Sequence, residues 1–290
     1  MTRIGFVGTE NSHTDHFIRF LNTERRHPGC DAVALAGGLN ERNQQLRDNG
    51  GIEHVVDRPE DLIPLVDAAI ISTRDGARHR EQAEPLLAAG IPLLVDKPLA
   101  TTVDDARAIV DAAEKTSTVV LSCSALRFVP QVAELIDATD RGPLRQVNIV
   151  GPADPSSEYS GLFFYGIHHV EAALEILGNP VVDPGSVTPT VTRNDDTTIA
   201  HVRIADVDVI LTFVTPGDGH RVPFHATATG TSGVVARELV LDADYNAPAL
   251  DRFVAAIEAG SSPAGREELL SPVVVLAAIV EALEDGTDAS

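Results

Sequence analysis

The sequence predicts an α/β fold built on a doubly wound parallel sheet, followed by an α+β domain with a mostly antiparallel, open sheet. Over residues 1–123, short apolar runs alternate with helical segments, and the runs are nearly continuous, as in strands buried on both faces. After Pro130, strand-like runs follow one another across short turns, which is typical of antiparallel sheets. The expected domains are therefore residues 1–123 and 124–290.

The first domain is predicted to contain strands that are joined by helices. Because crossovers between parallel strands are right-handed, this alternation gives a sheet covered on both faces. The predicted strands are residues 3–8, 32–38, 52–56, 68–73, 91–95 and 118–123. A helical pattern runs through Phe17, Phe20 and Leu21, and the other predicted helices are residues 41–48, 58–65, 77–89 and 102–115.

The second domain is predicted to combine one sheet with a few helices. Its first elements are a helix at 130–138, a strand at 144–151, a loop at 152–161 and a helix at 166–178. The strands that follow are predicted at 186–193, 198–204, 207–215, 222–229 and 234–240. Two helices, at 247–259 and 266–284, close the chain, and the last of them can pack back on the first domain.

Composition and charge argue against several classes of protein. The formal net charge of −21 at pH 7 disfavours nucleic acid and anionic membrane surfaces as partners. No apolar run reaches the roughly 18 residues that cross a bilayer, and the first ten residues lack the layout of a signal peptide. Cys30 and Cys123 are the only cysteines and are expected to be buried thiols, which fits a reducing compartment. The expected location is the cytoplasm.

The turn after the first strand is the usual place for a dinucleotide pyrophosphate, because backbone N–H groups and a helix dipole attract the anion there. Gly8 keeps the first glycine of the G-x-G-x-x-G pattern, but Glu10 and His13 stand where the other two are expected. Ser12 is expected to cap the helix and to donate to phosphate. An ordinary turn between a strand and a helix would give the same pattern.

The end of the second strand also departs from the dinucleotide pattern. A carboxylate that binds the ribose diol is expected there, but Gly37, Gly38, Leu39 and Asn40 occupy the position. Asn40 or Arg42 can reach the adenosine ribose instead, and Arg42 would accept a 2′-phosphate. NAD and NADP both remain open at this point.

Lys97 carries the strongest local signal for chemistry. It is one of only two lysines, and it follows Asp96 at the carboxyl end of a predicted buried strand, where ligands of open α/β sheets bind. A desolvated lysine beside a carboxylate can exchange protons with a substrate hydroxyl or carbonyl, and Pro98 restricts its backbone. The other lysine, Lys115, ends a predicted helix, where a cation complements the dipole.

The predicted helix at 166–178 carries a second candidate. His168 and Glu171 share one face of it, whereas the adjacent His169 projects about 100 degrees away from His168. Two adjacent histidines therefore do not chelate one metal ion easily, and no third ligand is evident. We predict no metal site.

An ordered set of segments runs along nearly the whole chain. These are RIGFVG at 3–8, AAIIST at 68–73, His79, AAG at 88–90, DKPLA at 96–100, SCSALRFVP at 122–130, G-x-H-x-x-E at 166–171 and GTSG at 230–233. Their order resembles the Gfo/Idh/MocA family, which is named after glucose–fructose oxidoreductase, inositol dehydrogenase and a rhizopine-catabolism protein.

The resemblance implies a Rossmann domain that binds NAD or NADP, a second domain with an open sheet, and a sugar, polyol or related small molecule as substrate. It also implies proton transfer by Lys97 and His168 during hydride exchange. The predicted cofactor-binding residues are Gly8, Thr9, Asn11, Ser12, His13, Asn40, Arg42, Ser72, Thr73, Asp96, Lys97 and Pro98.

One departure from the family pattern concerns the substrate side. The family often has an aspartate four residues before its histidine, and Phe164 stands there in this chain. Arg127, Tyr165 and His169 are expected to line the substrate instead. The resemblance is also compatible with a non-catalytic sensor or partner subunit, or with a lyase that uses NAD. We expect a homodimer or homotetramer built on the sheet of residues 186–240.

Overall fold

Buried apolar strands near the N-terminus form a parallel sheet. The computed structural model describes residues 1–288. The six strands of this sheet lie in the order β3-β2-β1-β4-β5-β6, which is the doubly wound arrangement that the sequence predicts. They are β1 (Thr2–Val7), β2 (Cys30–Ala36), β3 (His54–Val56), β4 (Ala68–Ile71), β5 (Leu93–Val95) and β6 (Val120–Leu121). Adjacent strands are parallel throughout, so all six carboxyl ends lie at one edge.

Helices connect these strands. They are α1 (Ser12–Ile18), which continues as a π-helical turn (Arg19–Thr23), α2 (Asn40–Gly50), α3 (His79–Ala88) and α4 (Val103–Thr116). The helix expected at 58–65 is instead a short 3-10 turn at Pro59–Leu62. Pro64 explains the difference, because proline disfavours a helical conformation in the residue before it and lacks a backbone donor.

The second sheet is mostly antiparallel, as expected. Its order is β12-β11-β7-β10-β9-β8, and only the β7–β10 pair is parallel. The strands are β7 (Leu144–Pro152), β8 (Thr190–Asn194), β9 (Thr197–Ile204), β10 (Val207–Val214), β11 (Phe224–Gly230) and β12 (Val234–Leu239). Burial alternates along β9 and β10, because one face of the sheet packs against α5 (Pro130–Asp137) and α6 (Leu162–Ile176).

Helix α6 begins four residues before the predicted start. The aromatic run Phe163–Tyr165 and Gly166 favoured a later start in the sequence, but all four residues lie within the helix. Gly166 is needed for close packing, since a β-carbon there would lie 3.3 Å from the ring of Phe213.

The last two helices do not follow the predicted domain division. They are α7 (Ala247–Ala259) and α8 (Arg266–Asp288). One compact unit comprises residues 1–100, 104–123 and 246–269, and the other comprises 101–103, 124–245 and the chain from Leu270 onwards. The expected boundary at 123/124 coincides with a division between units. However, α7 returns to the first unit, whereas most of the last helix, which was expected to return, belongs to the second.

Side-chain contacts hold the returning segment in the first unit. His27 lies 2.9 Å from Asp251, and the Ser262 hydroxyl accepts from the Val120 N–H and donates to its carbonyl, both at 3.0 Å. Cys30 and Cys123 are buried, and neither forms a disulfide within residues 1–288.

Candidate active site

Gly8 lets the loop after β1 approach the loop after β4. Its φ is +74°, and a β-carbon would lie 2.2 Å from Thr73 Oγ1 and 2.7 Å from the Thr73 backbone. The Ser72 hydroxyl donates to the Gly8 carbonyl at 2.8 Å. Ser72, which is fully buried, thus links the two loops, whereas the Thr73 hydroxyl donates to Gln82 on α3 at 2.9 Å.

Helix α1 begins at an asparagine cap. The Asn11 side chain accepts a hydrogen bond from the His13 backbone N–H at 3.2 Å, and its backbone is extended. The prediction that Ser12 is the cap is wrong: Ser12 is the first helical residue, and it is exposed. Asparagine caps helices at least as well as serine, and here its amide also donates to Asp96 at 3.1 Å.

Asp96 is the centre of a buried cluster at the carboxyl end of β5. Its Oδ2 lies 2.7 Å from His13 Nδ1 and accepts the Asn11 amide. Three of the predicted site residues, Asn11, His13 and Asp96, are therefore brought together, and Lys97 follows directly along the chain. The exposed fractions of His13, Asp96 and Lys97 are only 9%, 7% and 5%.

Asp96 is held as a carboxylate. Burial alone would raise its pKa, but the charge of His13, the hydrogen bond from His13, and the charge and backbone N–H of Lys97 together lower the pKa well below its usual value. The carboxylate thus lies between two groups that can carry positive charge. Lys97 is therefore a buried lysine beside a fixed negative charge, which is the environment that the sequence predicted.

His79 connects the two loops that flank this cluster. It is fully buried, with Nε2 2.9 Å from the Thr73 carbonyl oxygen and Nδ1 2.8 Å from the Pro98 carbonyl oxygen. Burial lowers its pKa. A neutral ring can donate to only one of these carbonyls, whereas an imidazolium donates to both. These contacts of His79 were not predictable from the sequence, because Thr73 and Pro98 approach the ring only once the loops are folded.

A cavity of about 290 Å³ lies at the carboxyl ends of the first strands. Gly8, Gly37 and Gly38 leave room along its wall. Its charged lining residues are Glu10, Asp57, Arg58, Glu60, Arg78 and Glu81. Asp57 follows β3 and lies near the strand end where a ribose-binding carboxylate was expected and not found. Asp57 was not predicted from the sequence, because the dinucleotide pattern places the ribose-binding carboxylate at the end of the second strand, whereas Asp57 follows the third.

Two of the predicted cofactor-binding residues, Thr9 and Arg42, use their side chains to bind other residues of the protein. The Thr9 hydroxyl is buried and donates to Asn43 Oδ1 at 2.6 Å. Arg42 donates to the Thr9 carbonyl at 3.1 Å and forms an ion pair with Asp15. The structure therefore does not support Arg42 as a ligand of a 2′-phosphate, whereas Asn40 is exposed at the start of α2.

His168 lies in the second unit, on α6. Its Nδ1 is 2.6 Å from the Ser124 hydroxyl, which also accepts from the Leu126 N–H at 3.1 Å. The Ser124 backbone N–H donates to Glu171 Oε2 at 2.6 Å. His168 and Glu171 thus share one helix face, as predicted, and both contact Ser124. When the hydroxyl donates to Nδ1, the neutral ring carries its proton on Nε2.

Arg127 forms an internal network in place of the expected substrate contact. Its guanidinium donates to Glu175 at 2.9 Å and to Asn179 at 3.0 Å, and lies 3.6 Å from Glu171. Only 8% of the residue is exposed. Two carboxylates thus fix the guanidinium inside the second unit.

His169 also departs from expectation. It is fully buried between Phe213 and Phe224, with ring centroids 4.8 and 5.2 Å away, so it does not line a substrate surface. Burial lowers its pKa to about 4. Neither ring nitrogen forms a hydrogen bond of good geometry with the described residues, so the ring is a neutral core residue.

Tyr165 lies where a ligand can reach it. It is 40% exposed, and its ring centroid is 5.5 Å from that of His168. Together with Phe164 it lines a cavity of about 980 Å³ within the second unit. Of the expected substrate residues, Tyr165 is therefore the one that the structure leaves accessible.

Neither a metal site nor a membrane segment is evident in residues 1–288. No group of three or more His, Cys, Asp and Glu side chains there is arranged to hold a metal ion. None of the helices in this range is long and apolar enough to cross a bilayer.

Comparison with known proteins adds information about both units. Over 144 residues, 49% of this chain and 42% of the relative, the sequence is 31% identical to 1,5-anhydro-D-fructose reductase of Ensifer adhaerens. Over 112 residues, 38% of this chain and 32% of the relative, it is 35% identical to inositol 2-dehydrogenase of Agrobacterium fabrum. The matched segments span less than half of each relative's length.

A solved structure shares the whole fold. Scyllo-inositol dehydrogenase of Lactobacillus casei, determined with NAD(H) and scyllo-inositol bound, superposes with a TM-score of 0.80 and covers 99% of this chain and 98% of its own, at 17% identity. Residues 2–123 match the model of a family described as an oxidoreductase family with an NAD-binding Rossmann fold. This segment is therefore similar to the NAD-binding domain of the Gfo/Idh/MocA oxidoreductase family.

Proposed function

We propose that the chain is an NAD-dependent oxidoreductase that acts on a small polyhydroxylated compound such as a sugar, a polyol or a cyclitol. The observation that carries the proposal is Lys97, a buried lysine beside an ionised Asp96 at the strand edge of an NAD-binding domain. Bound NAD would supply or accept the hydride. The relatives that act on anhydrofructose and inositol support the substrate class.

In this proposal the protein orients the substrate and moves one proton. Lys97 exchanges that proton with the reacting hydroxyl. The Asp96 carboxylate stays negatively charged beside Lys97 throughout the reaction. His168 is the second proton-transfer group, because Ser124 fixes its Nδ1 and thereby orients the opposite ring nitrogen. The alternative is a non-catalytic sensor with the same fold, which would bind the dinucleotide but turn over no substrate.

The cavity at the strand edge favours NAD over NADP. Gly37 and Gly38 leave space for a ribose, and Asp57 provides a carboxylate that can accept its hydroxyls. A 2′-phosphate would meet several carboxylates. The two arginines of the cavity are already paired, since Arg58 contacts Glu60 and Asp61, and Arg78 contacts Glu81.

A titration with NADH and NADPH tests the proposal. The chain contains no tryptophan, so nicotinamide fluorescence can be followed without interference from that residue. We expect NADH to bind at least tenfold more tightly than NADPH, followed by reduction of NAD in a screen of sugars and cyclitols. Binding without turnover of any polyol would favour the sensor, and no binding of either dinucleotide would reject the oxidoreductase.

Replacing Glu10 should strengthen cofactor binding. Its carboxylate accepts the Arg74 N–H at 3.1 Å and lines the cavity, so it places a negative charge near the expected pyrophosphate. Glu10→Gln keeps that acceptor but removes the charge. Repulsion between the Glu10 carboxylate and a phosphate at short range weakens binding by on the order of 1 kcal/mol. We expect the Kd for NADH to fall several-fold. An unchanged or higher Kd would show that Glu10 faces away from phosphate or binds the ribose.

Self-association through the second sheet remains a prediction. The residues of β9 and β10 that alternate with the buried ones include exposed Ile199 and half-buried Ile210. A dimer or tetramer would cover them. Light scattering should report two or four copies, and Ile210→Asp should lower the mass. A monomer at micromolar concentration would reject this assembly.

A further inference from the structure

The cavity of about 980 Å³ in the second unit has features that the proposed function does not use. Its volume is at the upper end of the range of small-molecule sites. It is lined by the first turn of α6, by the segment before β11 and by the end of β12. Different elements thus contribute to one ligand-sized space, and the types of residue on its wall indicate what can bind there.

One arginine, Arg221, lines this cavity. Arg221 is exposed, and it forms no ion pair within residues 1–288, although the chain carries 43 acidic residues. His220, next to it, also lines the cavity. In a chain of net charge −21, an unpaired guanidinium beside an imidazole is a local site for an anion.

The amino-terminal end of α6 adds a second, independent feature. Gly161, Phe164 and Tyr165 line the cavity, so the start of this 15-residue helix borders it. The cap residue is Gly161, which has no side chain to accept from the helix, and the first turn contains no acidic residue. The first turn of α6 thus contributes no negative charge of its own at the positive end of the helix dipole, and such an end favours an anion.

Aromatic rings form much of the remaining wall. Phe164 and Tyr165 pack edge to face with centroids 4.9 Å apart, and Phe224 and Tyr245 also line the cavity. Rings of this kind offer apolar surface to the C–H face of a sugar or cyclitol. Phe164 stands at the position where the resembled family often has an aspartate. This wall therefore suits the apolar face of a sugar or cyclitol ring better than its hydroxyl groups.

Two carboxylates complete the lining, and their roles differ. Asp154 Oδ1 accepts the Ser156 N–H at 2.8 Å, so it is committed to the turn of its own loop. Glu238, on β12, has no such commitment in residues 1–288. Its charge opposes an anion in the cavity, so Glu238 provides a test of opposite sign to Arg221.

We propose that this cavity binds the anionic substituent of an acidic sugar or cyclitol, with Arg221 contacting a carboxylate or a phosphate monoester and Phe164 and Tyr165 contacting the ring. This inference rests on the proposed function, because it names the substrate class of the same enzyme. It adds a specificity-determining residue, Arg221, that the sequence did not single out.

Three probes that share a glucose ring test the inference: D-glucose, D-glucuronate and D-glucose 6-phosphate. Calorimetry with the NADH-bound protein should give a Kd at least tenfold lower for one or both anions than for glucose. The stronger anion identifies the substituent as carboxylate or phosphate. Equal affinities for the three probes, or binding of none, would overturn the proposal.

Matched variants locate the effect. Arg221→Gln should raise the Kd for the preferred anion about tenfold and leave that for NADH unchanged. Glu238→Gln should lower the Kd for the preferred anion several-fold. The control is Arg193→Gln, which should change nothing: Arg193 is exposed on β8, does not line the cavity and forms no ion pair within residues 1–288. If Arg221→Gln and Arg193→Gln change the Kd for the anion equally, the cavity is not the anion site. If the wild-type chain does not bind NADH, only the proposed oxidoreductase function is rejected.

Discussion

Lys97→Arg is expected to lower turnover by roughly two orders of magnitude or more while the fold and the affinity for NAD are retained. General acid–base catalysis commonly contributes about that factor. Arginine keeps the positive charge beside Asp96, but its guanidinium remains protonated, whereas a buried lysine can release and recapture a proton. A cation with only a structural role would tolerate the exchange.

Lys115 supplies a matched control, because it is the only other lysine and lies exposed in the last turn of α4. Lys115→Arg should leave turnover unchanged. Lys97→Met, which removes the charge at similar length, should also abolish turnover, and circular dichroism together with NADH titration establishes that each variant folds. Near-wild-type turnover of Lys97→Arg would remove Lys97 from proton transfer and leave His168 as the candidate.

The sequence was sufficient for the first sheet and for the position of Lys97. Buried parallel strands are nearly continuous apolar runs, so β1, β4 and β5 are evident, and strand direction then places Lys97 at the ligand-binding edge. The return of α7 to the first unit was not predictable in this way. Apolar periodicity shows that a helix buries one face, but it does not show which surface that face contacts.

Long-range partners explain why local patterns did not predict several contacts of the candidate site. His13 is one of the predicted cofactor-binding residues, but its contact with Asp96 joins positions 83 apart and is not visible in any local pattern. The hydrogen bond from Arg127 to Glu175 joins positions 48 apart, so local patterns did not predict it either. Local spacing on a helix, by contrast, did show that His168 and Glu171 share a face.

Asp96→Asn is expected to lower the free energy of unfolding by about 3 kcal/mol at neutral pH. Removing one partner of a buried ion pair leaves the other charge uncompensated, which commonly costs that much. Here the loss affects His13, at 2.7 Å, and the neighbouring Lys97. The control is Asp67→Asn, whose pair with Arg3 is more than 40% exposed on both sides, and which should cost less than about 1 kcal/mol.

The dependence of this effect on pH has a defined sign. Because folding lowers the pKa of Asp96, its carboxylate stabilises the protein above the pKa of the unfolded chain, near 3.9, and that contribution is lost as the pH falls towards the folded value. The difference in unfolding free energy between wild type and Asp96→Asn should therefore be constant from pH 7 to about pH 5 and shrink below about pH 4. Urea denaturation across this range measures it, with His13→Gln and the double variant completing a cycle whose coupling should reach 1 kcal/mol or more. A difference that stays constant down to about pH 3, or a cycle without coupling, would show that Asp96 and His13 do not form a charged pair in solution.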